Sequence, residues 1–345
     1  MAVNKVSSSK GKILDLTETS VTIGTAQAGA NLAVVPFTAN ASNTGGPTFS
    51  YVATSTPGSI TAQASTSPIT VLGLTAGTSY TFTVIAKNPS GNSIAGPSSS
   101  SNSVVPTVPA VVTGGTLYSD ATYYYRAFTS NGTLSVTGNS LTYDYVVIAG
   151  GGGAGQSGFG GGGGAGGVVG GSRTVSAGTN ATVTIGAGGN AGAPATNGSN
   201  TQFTGVTDAI GGGRGGANSA GGNGGSGGGG SQSGAGGTGT AGQGFNGSAG
   251  GAWYGGGGGG AGGAAVNTSG GGNGTDAYSS WCAATGGAIG QLSGSTYYLA
   301  AGGGGTYGGQ SSLGGNTFGA GGYNAATGGN GGLVMIRYTR AQVGG

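Results

Sequence analysis

The chain has 345 residues, of which 91 are glycine and only 4% are charged; net charge is +3 and histidine is absent. Its Lys and Arg residues are scattered, which excludes the basic stripe of a nucleic-acid binder, and no apolar run approaches the roughly 18 residues of a membrane-spanning helix. Cys282 is the single cysteine, which excludes an internal disulfide and, with no histidine beside it, a soft metal centre or a conventional nucleophilic triad.

Residues 1–20 form a short polar segment around Ile13-Leu14-Asp15-Leu16-Thr17. It reads either as a frayed terminus or as a peptide that attaches the chain to a larger assembly. The opening MAVNKVSSSKGK lacks the apolar core of a secretory signal. That predicts synthesis in a cytoplasm, although the composition is that of a surface-exposed protein.

Residues 21–106 are rich in Ser, Thr, Val and Pro. Strands are predicted at 34–38, 48–54, 59–64, 69–72, 79–87 and 102–105, separated by turn residues at the spacing of an all-β sandwich. The run from Val71 to Val84, VLGLTAGTSYTFTV, closely resembles fibronectin type III modules. Leu74 and Tyr80 match that family's corner motif, in which the tyrosine hydroxyl closes onto nearby backbone. Asn88-Pro89-Ser90-Gly91 resembles its turn into the last strand. The family's early-strand tryptophan is missing, and Phe37 or Phe49 is expected to fill that part of the core. The resemblance implies an immunoglobulin-like spacer or display arm.

Residues 107–114 read as a linker. Beyond it, TYYYRAFTS (122–130), residues 132–136 and residues 141–148 predict three strands with tight turns. They are expected to form a platform sheet (115–149 with 333–340) that includes Leu333 to Tyr338. Residues 341–345 are a tail. Between Tyr143–Ile148 and Leu333–Tyr338 lies the glycine tract, 150–332: 14 glycines precede it and two follow it. Matched apolar strands around a tract predict a folded domain, with those strands paired at its base. Within it, 173–185 reads as a hairpin turning at 177–180, and 201–210 holds a short strand.

Glycines in the tract often fall in phase three, as in GGR-GGA-NSA-GGN-GGS-GGG from Gly212. That period matches a helix of three residues per turn without internal hydrogen bonds. Its N–H and C=O groups must then bond sideways. Collagen is excluded, since Pro194 is the last proline and the phase slips. Asn218-Ser219-Ala220 is expected to reverse the chain between two short helices. A disordered spacer is the competing reading; Phe203, Phe245, Trp253, Trp281, Leu299 and Phe318 argue against it. Val146–Ala149 followed by GGGGAG satisfies a dinucleotide fingerprint. However, the glycine-rich residues after it cannot hold the helix that would bind the pyrophosphate.

YRAFTSNGTLSVTG…YDYVVIAGGGGAG…GGNGGLVMIRYT resembles a glycine-rich module of bacteriophage tail-fibre and adhesin proteins, over about residues 115–340. The resemblance implies polyglycine II helices packed into a layered body, with loops at the far end that touch a host receptor. Comparable packing occurs in glycine-rich antifreeze proteins and some receptor tyrosine kinase ectodomains, so architecture alone does not fix function. The expectation is a non-enzymatic fibre or adhesin on the virion surface, released by lysis and so independent of a signal peptide. Its partners would be other virion structural proteins through residues 1–20 and a host glycan or outer-membrane protein, with a homo-oligomer expected and a trimer favoured. Nucleic acid, membrane insertion and cofactors are not expected. The alternative is a purely structural capsid- or tail-decorating fibre.

The acids Asp15, Glu18, Asp120, Asp144, Asp208 and Asp276 nominate no catalytic pair. What recurs among the glycine runs is aromatic: Trp253, Tyr254, Tyr278, Trp281, Tyr307 and Tyr323. Such side chains supply contact area at low entropic cost, and flat rings suit sugars. These six are the candidate receptor-binding residues, with residues 250–285 expected to make the tip; the competing role is plugging helix ends or a trimer interface. Tyr297-Tyr298-Leu299 reads as buried strand, and Cys282 as a buried small residue.

Overall fold

The computed structural model describes residues 5–7, 13–15, 20–40, 49–94, 96–265, 269–307, 317–324 and 327–344. Most of the proposed attachment peptide 1–20 lies outside them. The chain divides into two compact units, 1–110 with 341–345, and 111–340.

The first unit is all-β. Strands β1 (Lys5–Ser7) and β2 (Ile13–Asp15) pair antiparallel. The rest are β3 (Ser20–Ile23), β4 (Gln27–Ala28), β5 (Leu32–Val35), β6 (Phe37–Asn40), β7 (Ser50–Thr56), β8 (Thr61–Ala64), β9 (Ile69–Leu72) and β10 (Thr81–Lys87). They form small sheets ordered β10-β7-β8, β4-β5-β9 and β3-β6. Alternation explains the core: along β10, Phe82, Val84 and Ala86 are buried and their neighbours are not, as period-two geometry requires. Val35, Tyr51, Ile69 and Val71 join them. Pro36 separates β5 from β6 because it has no N–H to give a ladder. Phe37 fills the core 4.5 Å from the Tyr51 ring, with Phe49 packed beside it. The Thr75 N–H donates to the Tyr80 hydroxyl at 3.1 Å, the contact expected of the corner motif. The predicted strand at 102–105 is reduced to a single bridge, Tyr80 with Val104.

The second unit begins with β11 (Val111–Thr113), β12 (Thr116–Ser119), β13 (Tyr123–Phe128), β14 (Gly132–Thr137) and β15 (Leu141–Ile148). It continues with β16 (Val168–Val175), β17 (Thr179–Thr184) and β18 (Gln202–Phe203). Helix α1 (Ser279–Ala284), β19 (Gln291–Ser293), β20 (Thr296–Tyr298) and β21 (Leu333–Thr339) complete it. The two bracketing segments pair as expected, Asp144 opposite Arg337 through Ile148 opposite Leu333. They form the centre of a five-stranded sheet ordered β12-β13-β21-β15-β16. Two expectations are corrected. Residues 132–137 leave this sheet for a second one, β11-β14-β17-β18, and 173–185 is a crossing between the sheets instead of a hairpin. Alternation along β15 drives the correction: Tyr143 meets Phe203 of the second sheet at 6.1 Å, while Val146 and Ile148 face the opposite cluster. Both faces of the platform are therefore covered, and each face needs its own layer.

From Ile148 the chain enters the tract, and successive residues turn their bonds to successive neighbours. The Gly150 N–H donates to Ser199 (3.1 Å), Gly151 to Asn330 (2.9 Å) and Gly152 to Gly164 (2.9 Å). The cycle then repeats: Gly153 donates to Thr196, Ala154 to Thr327 and Gly155 to Gly161. The carbonyls of 150–154 accept from Gly212, Gly189, Gly322, Gly215 and Gly192 in the same rotation. None of these glycines has a positive φ. This is the bonding of a three-residue-per-turn helix with six neighbours, three accepting from it and three donating to it. The pass 161–166 repeats the scheme, donating to Gly216, Gly256, Gly322, Gly213, Gly259 and Gly319 in turn.

Such packing requires glycine. A Cβ at Gly152 would fall closer than 3.0 Å to the Gly213 carbonyl, and one at Gly163 equally close to the Gly152 carbonyl. Backbone cannot swing aside as a side chain can. Ordering glycine costs roughly 0.5–1 kcal/mol more than ordering alanine; a bond from every N–H of the central passes 150–155 and 161–166 helps offset it. The reversal at Asn218–Ala220 is present. A second, unexpected one at Gly225–Ser226 sends the chain outward again, because Gly225 donates to Gly211 at the base and Gly229 to Gly162 farther out. On the flank, asparagine side chains take the place of backbone carbonyls as acceptors. Asn197 Oδ1 accepts from the Arg214 N–H (2.8 Å), Asn200 from Gly211 (2.9 Å), Asn223 from Thr238 (2.8 Å) and Asn246 from Gly239 (2.8 Å).

Candidate functional site

The passes run between two ends, and each end gathers its own aromatics. At the base, α1 lies against the platform. It is a short helix without a side-chain cap, ended by Gly286 and Gly287 at positive φ, as helices commonly are. It buries Trp281 to 5% exposure and Cys282 fully, against Tyr125, Leu299 and Met335. The indole meets Tyr125 at 6.1 Å and Tyr278 at 5.3 Å, both nearly edge to face, and Arg337 lies 4.9 Å from it and 4.6 Å from the Tyr123 ring. Arg337 also donates to Asp144 Oδ2 at 3.0 and 3.1 Å. Burial pushes the Cys282 thiol up to about 12, so at neutral pH it is a protonated packing group. Burial likewise raises the hydroxyls of Tyr278 and Tyr125, the latter further through its bond to Asp120. Burial works against the Asp120 charge. Hydrogen bonds from the Tyr125 hydroxyl and the Tyr123 and Thr122 N–H groups, with the Arg337 charge, still hold its carboxyl below the usual range.

Among the described residues, the far end is made of reversals. Residues 156–159 join the two central passes. Gln156 N–H bonds to Gly192, Ser231 Oγ to the Phe159 carbonyl and Thr306 N–H to Gly160, which ties the neighbouring turns at 192–195, 231–234 and 306–307 to that joint. Gly251 and Tyr254 close another turn through a β-bridge. Among the described residues, five non-glycine ones hold positive φ on these reversals: Asn218 (57°), Gln232 (46°), Ser233 (62°), Tyr307 (65°) and Asn324 (51°). Residues rarely adopt that conformation unless their surroundings impose it.

Here three rings meet. Phe159 lies 5.9 Å from Trp253, edge to face at 81°, and 6.3 Å from Tyr307. Trp253 is 75% exposed and Tyr307 81%. Phe159 is half-buried and supports both. Tyr254 and Tyr323 are half-buried on adjacent reversals. Tyr254 lays its ring against Gly251, where a Cβ would strike it. The stretch 250–285, expected as one tip, is therefore divided: Trp253 and Tyr254 stand at the far end, Tyr278 and Trp281 at the base. Of the six sequence candidates, the structure joins Trp253 with Tyr307 and, separately, Tyr278 with Trp281. Phe159 was missed by sequence reasoning. Its one signal is that no other aromatic residue lies between Tyr145 and Phe203.

The apex is uncharged. Between Asp144 and Arg337 the only charged residues are Arg173, Asp208, Arg214 and Asp276, and none lies on these reversals. The arrangement offers exposed ring faces beside the amides of Gln156 and Gln232 and the hydroxyl of Ser233, on turns fixed by backbone bonds. That is a contact surface with little ordering left to do.

No curated protein sequence matches the chain. A family model described as a glycine-rich domain matches residues 127–345, which takes in the platform strands β15, β16 and β21, the lattice and the reversals, but not β12 or most of β13. By that match the chain belongs to the glycine-rich domain family.

Proposed function

We propose that the chain is a non-enzymatic fibre or adhesin of a bacteriophage virion, which presents the far-end reversals of its glycine-rich unit to a host-surface receptor. The observation that carries this reading is the pair of exposed rings Trp253 and Tyr307, set on half-buried Phe159 at the end of the lattice opposite the sheets. Apolar rings that cluster in the open mark interaction surfaces, whereas exposed apolar side chains scattered singly are ordinary. On this reading the first unit is a fibronectin type III-like arm, supported by the Tyr80–Thr75 corner. Residues 1–20 dock onto other virion proteins, and the fibre is a homo-oligomer, a trimer favoured. Trp253, Tyr307 and Tyr254 are the receptor contacts, and Trp281 and Tyr278 hold the base.

The test is binding of the fluorescently labelled chain to a panel of bacterial strains. Selective labelling is expected, reduced roughly 30-fold by Trp253→Ala, since a hot-spot tryptophan contributes about 2 kcal/mol, with thermal unfolding unchanged. No labelled strain, or equal labelling by the variant, favours the purely structural fibre.

A further inference from the structure

We infer that the apex binds an uncharged carbohydrate, with pyranose faces stacked on Trp253 and Tyr307; this rests on the receptor reading above. The nearest ionic group along the chain is Arg214, three residues below the reversal that begins at Ala217. At ~3.1 Å rise that places it about 9 Å lower in the lattice, roughly one Debye length at physiological salt. Arg173, Asp208 and Asp276 belong to the segments at the base.

A protein partner would bring charges of its own, since about a quarter of residues in soluble proteins are ionic. Desolvating those charges against an apex with none to answer them is unfavourable. An anionic polymer meets the same difficulty, with no cation to hold its carboxylates or phosphates. A neutral sugar does not. One face of a pyranose ring is a patch of C–H groups, which suits an exposed indole or phenol. Its rim is hydroxyl, which suits side-chain amides and hydroxyls. Both are present: two open rings buttressed by Phe159, and Gln156, Gln232, Ser233 and Asn218 exposed on the surrounding reversals. The turns that carry them are closed by backbone bonds, such as Gly234 N–H to Ser231 and Gln156 N–H to Gly192, which lowers the ordering cost of binding.

The test uses the full chain on immobilised polysaccharides. Mannan, dextran and galactomannan serve as neutral probes, and heparin and alginate as anionic ones, each at 0.05 and 0.5 M NaCl. Retention on at least one neutral polymer is expected, equal at both salt concentrations and about 30-fold weaker for Trp253→Ala. Retention on none of the neutral polymers, or only on the anionic ones, overturns the inference. A second arm treats strains that the chain labels with periodate or with protease. Loss after periodate alone supports the carbohydrate. Loss after protease with survival of periodate overturns it in favour of a protein partner, while leaving the receptor reading intact. Failure of the receptor reading shows differently, as labelling that Trp253→Ala does not change.

Discussion

Adding one methyl group to the lattice should have opposite effects at two glycines a few residues apart. Gly163 lies on the second central pass; its N–H donates to Gly322 at 2.8 Å, and its carbonyl accepts from Gly303 at 2.9 Å. A Cβ there would overlap the Gly152 carbonyl and reach 3.0 Å from the Gly322 nitrogen. Gly163→Ala therefore wedges two passes apart and strains three bonds: Gly163 to Gly322, Gly322 to Gly152 and Gly152 to Gly164. At about 0.5–1.5 kcal/mol each, partly relieved by relaxation, the loss is about 3 kcal/mol. For a unit of this size that lowers Tm by about 6–12 °C. At Gly158 a Cβ meets nothing within 4 Å and φ is not positive. Gly158→Ala should stabilise by about 0.4–1 kcal/mol, because alanine restricts the unfolded chain. Differential scanning calorimetry of the two variants decides it. If Gly163→Ala melts within 1 °C of the parent, the close approach of backbones is not what requires glycine, and the lattice argument fails.

Trp281→Ala should cost about 3–5 kcal/mol of stability, read as a lower melting temperature, whereas Trp253→Ala should leave melting within about 0.5 kcal/mol of the parent. Cys282 should resist thiol reagents in the native protein at pH 7–8 and react on unfolding. Because its folded value is raised from 9.0 to about 12, the unfolded thiol ionises first. The contribution is complete below pH 9 and lost as pH rises toward 12, so alkaline melts should fall across that window and less steeply in Cys282→Ala. Asp120 has the opposite sign: its carboxyl is held below the ordinary 3.8, so its contribution is present above that pH and lost below it. Asp120→Ala should lower Tm at pH 7, and its difference from the parent should shrink as pH falls below 3.8. A chain beginning at Ala110 should still label the strains that the full chain labels; loss of labelling would place recognition in the first unit.

The platform was readable because its strands announce themselves locally. Tyr143–Ile148 and Leu333–Tyr338 are runs of β-branched and aromatic residues, and their pairing followed from standing on either side of the tract. The phase-three lattice was readable for the same reason, since two glycines in three say which faces must be bare. Which sheet Gly132–Thr137 joins could not be read, because its alternation fits either layer and only long-range packing of Phe203 on Tyr143 decides. The two ends were confused for a related reason. Asp276–Cys282 looks like a polar loop, and its tryptophan is buried by Tyr125 and Met335, residues distant in sequence. Phe159 stands alone among glycines, and nothing nearby in the chain reveals that Trp253 and Tyr307 come to meet it.

The asparagines on the flank bear on size. A sheaf of polyglycine helices has no natural boundary, since every outer helix offers the same donors and acceptors as an inner one and could take on another. Asn197, Asn200, Asn223 and Asn246 each fill with a side-chain oxygen the place where the next carbonyl would sit, so the N–H groups they satisfy have no bond left to offer a further helix. Glycine sets how the chain packs; these four amides help set where packing stops, and so how a material prone to grow without limit is held to the dimensions of one domain.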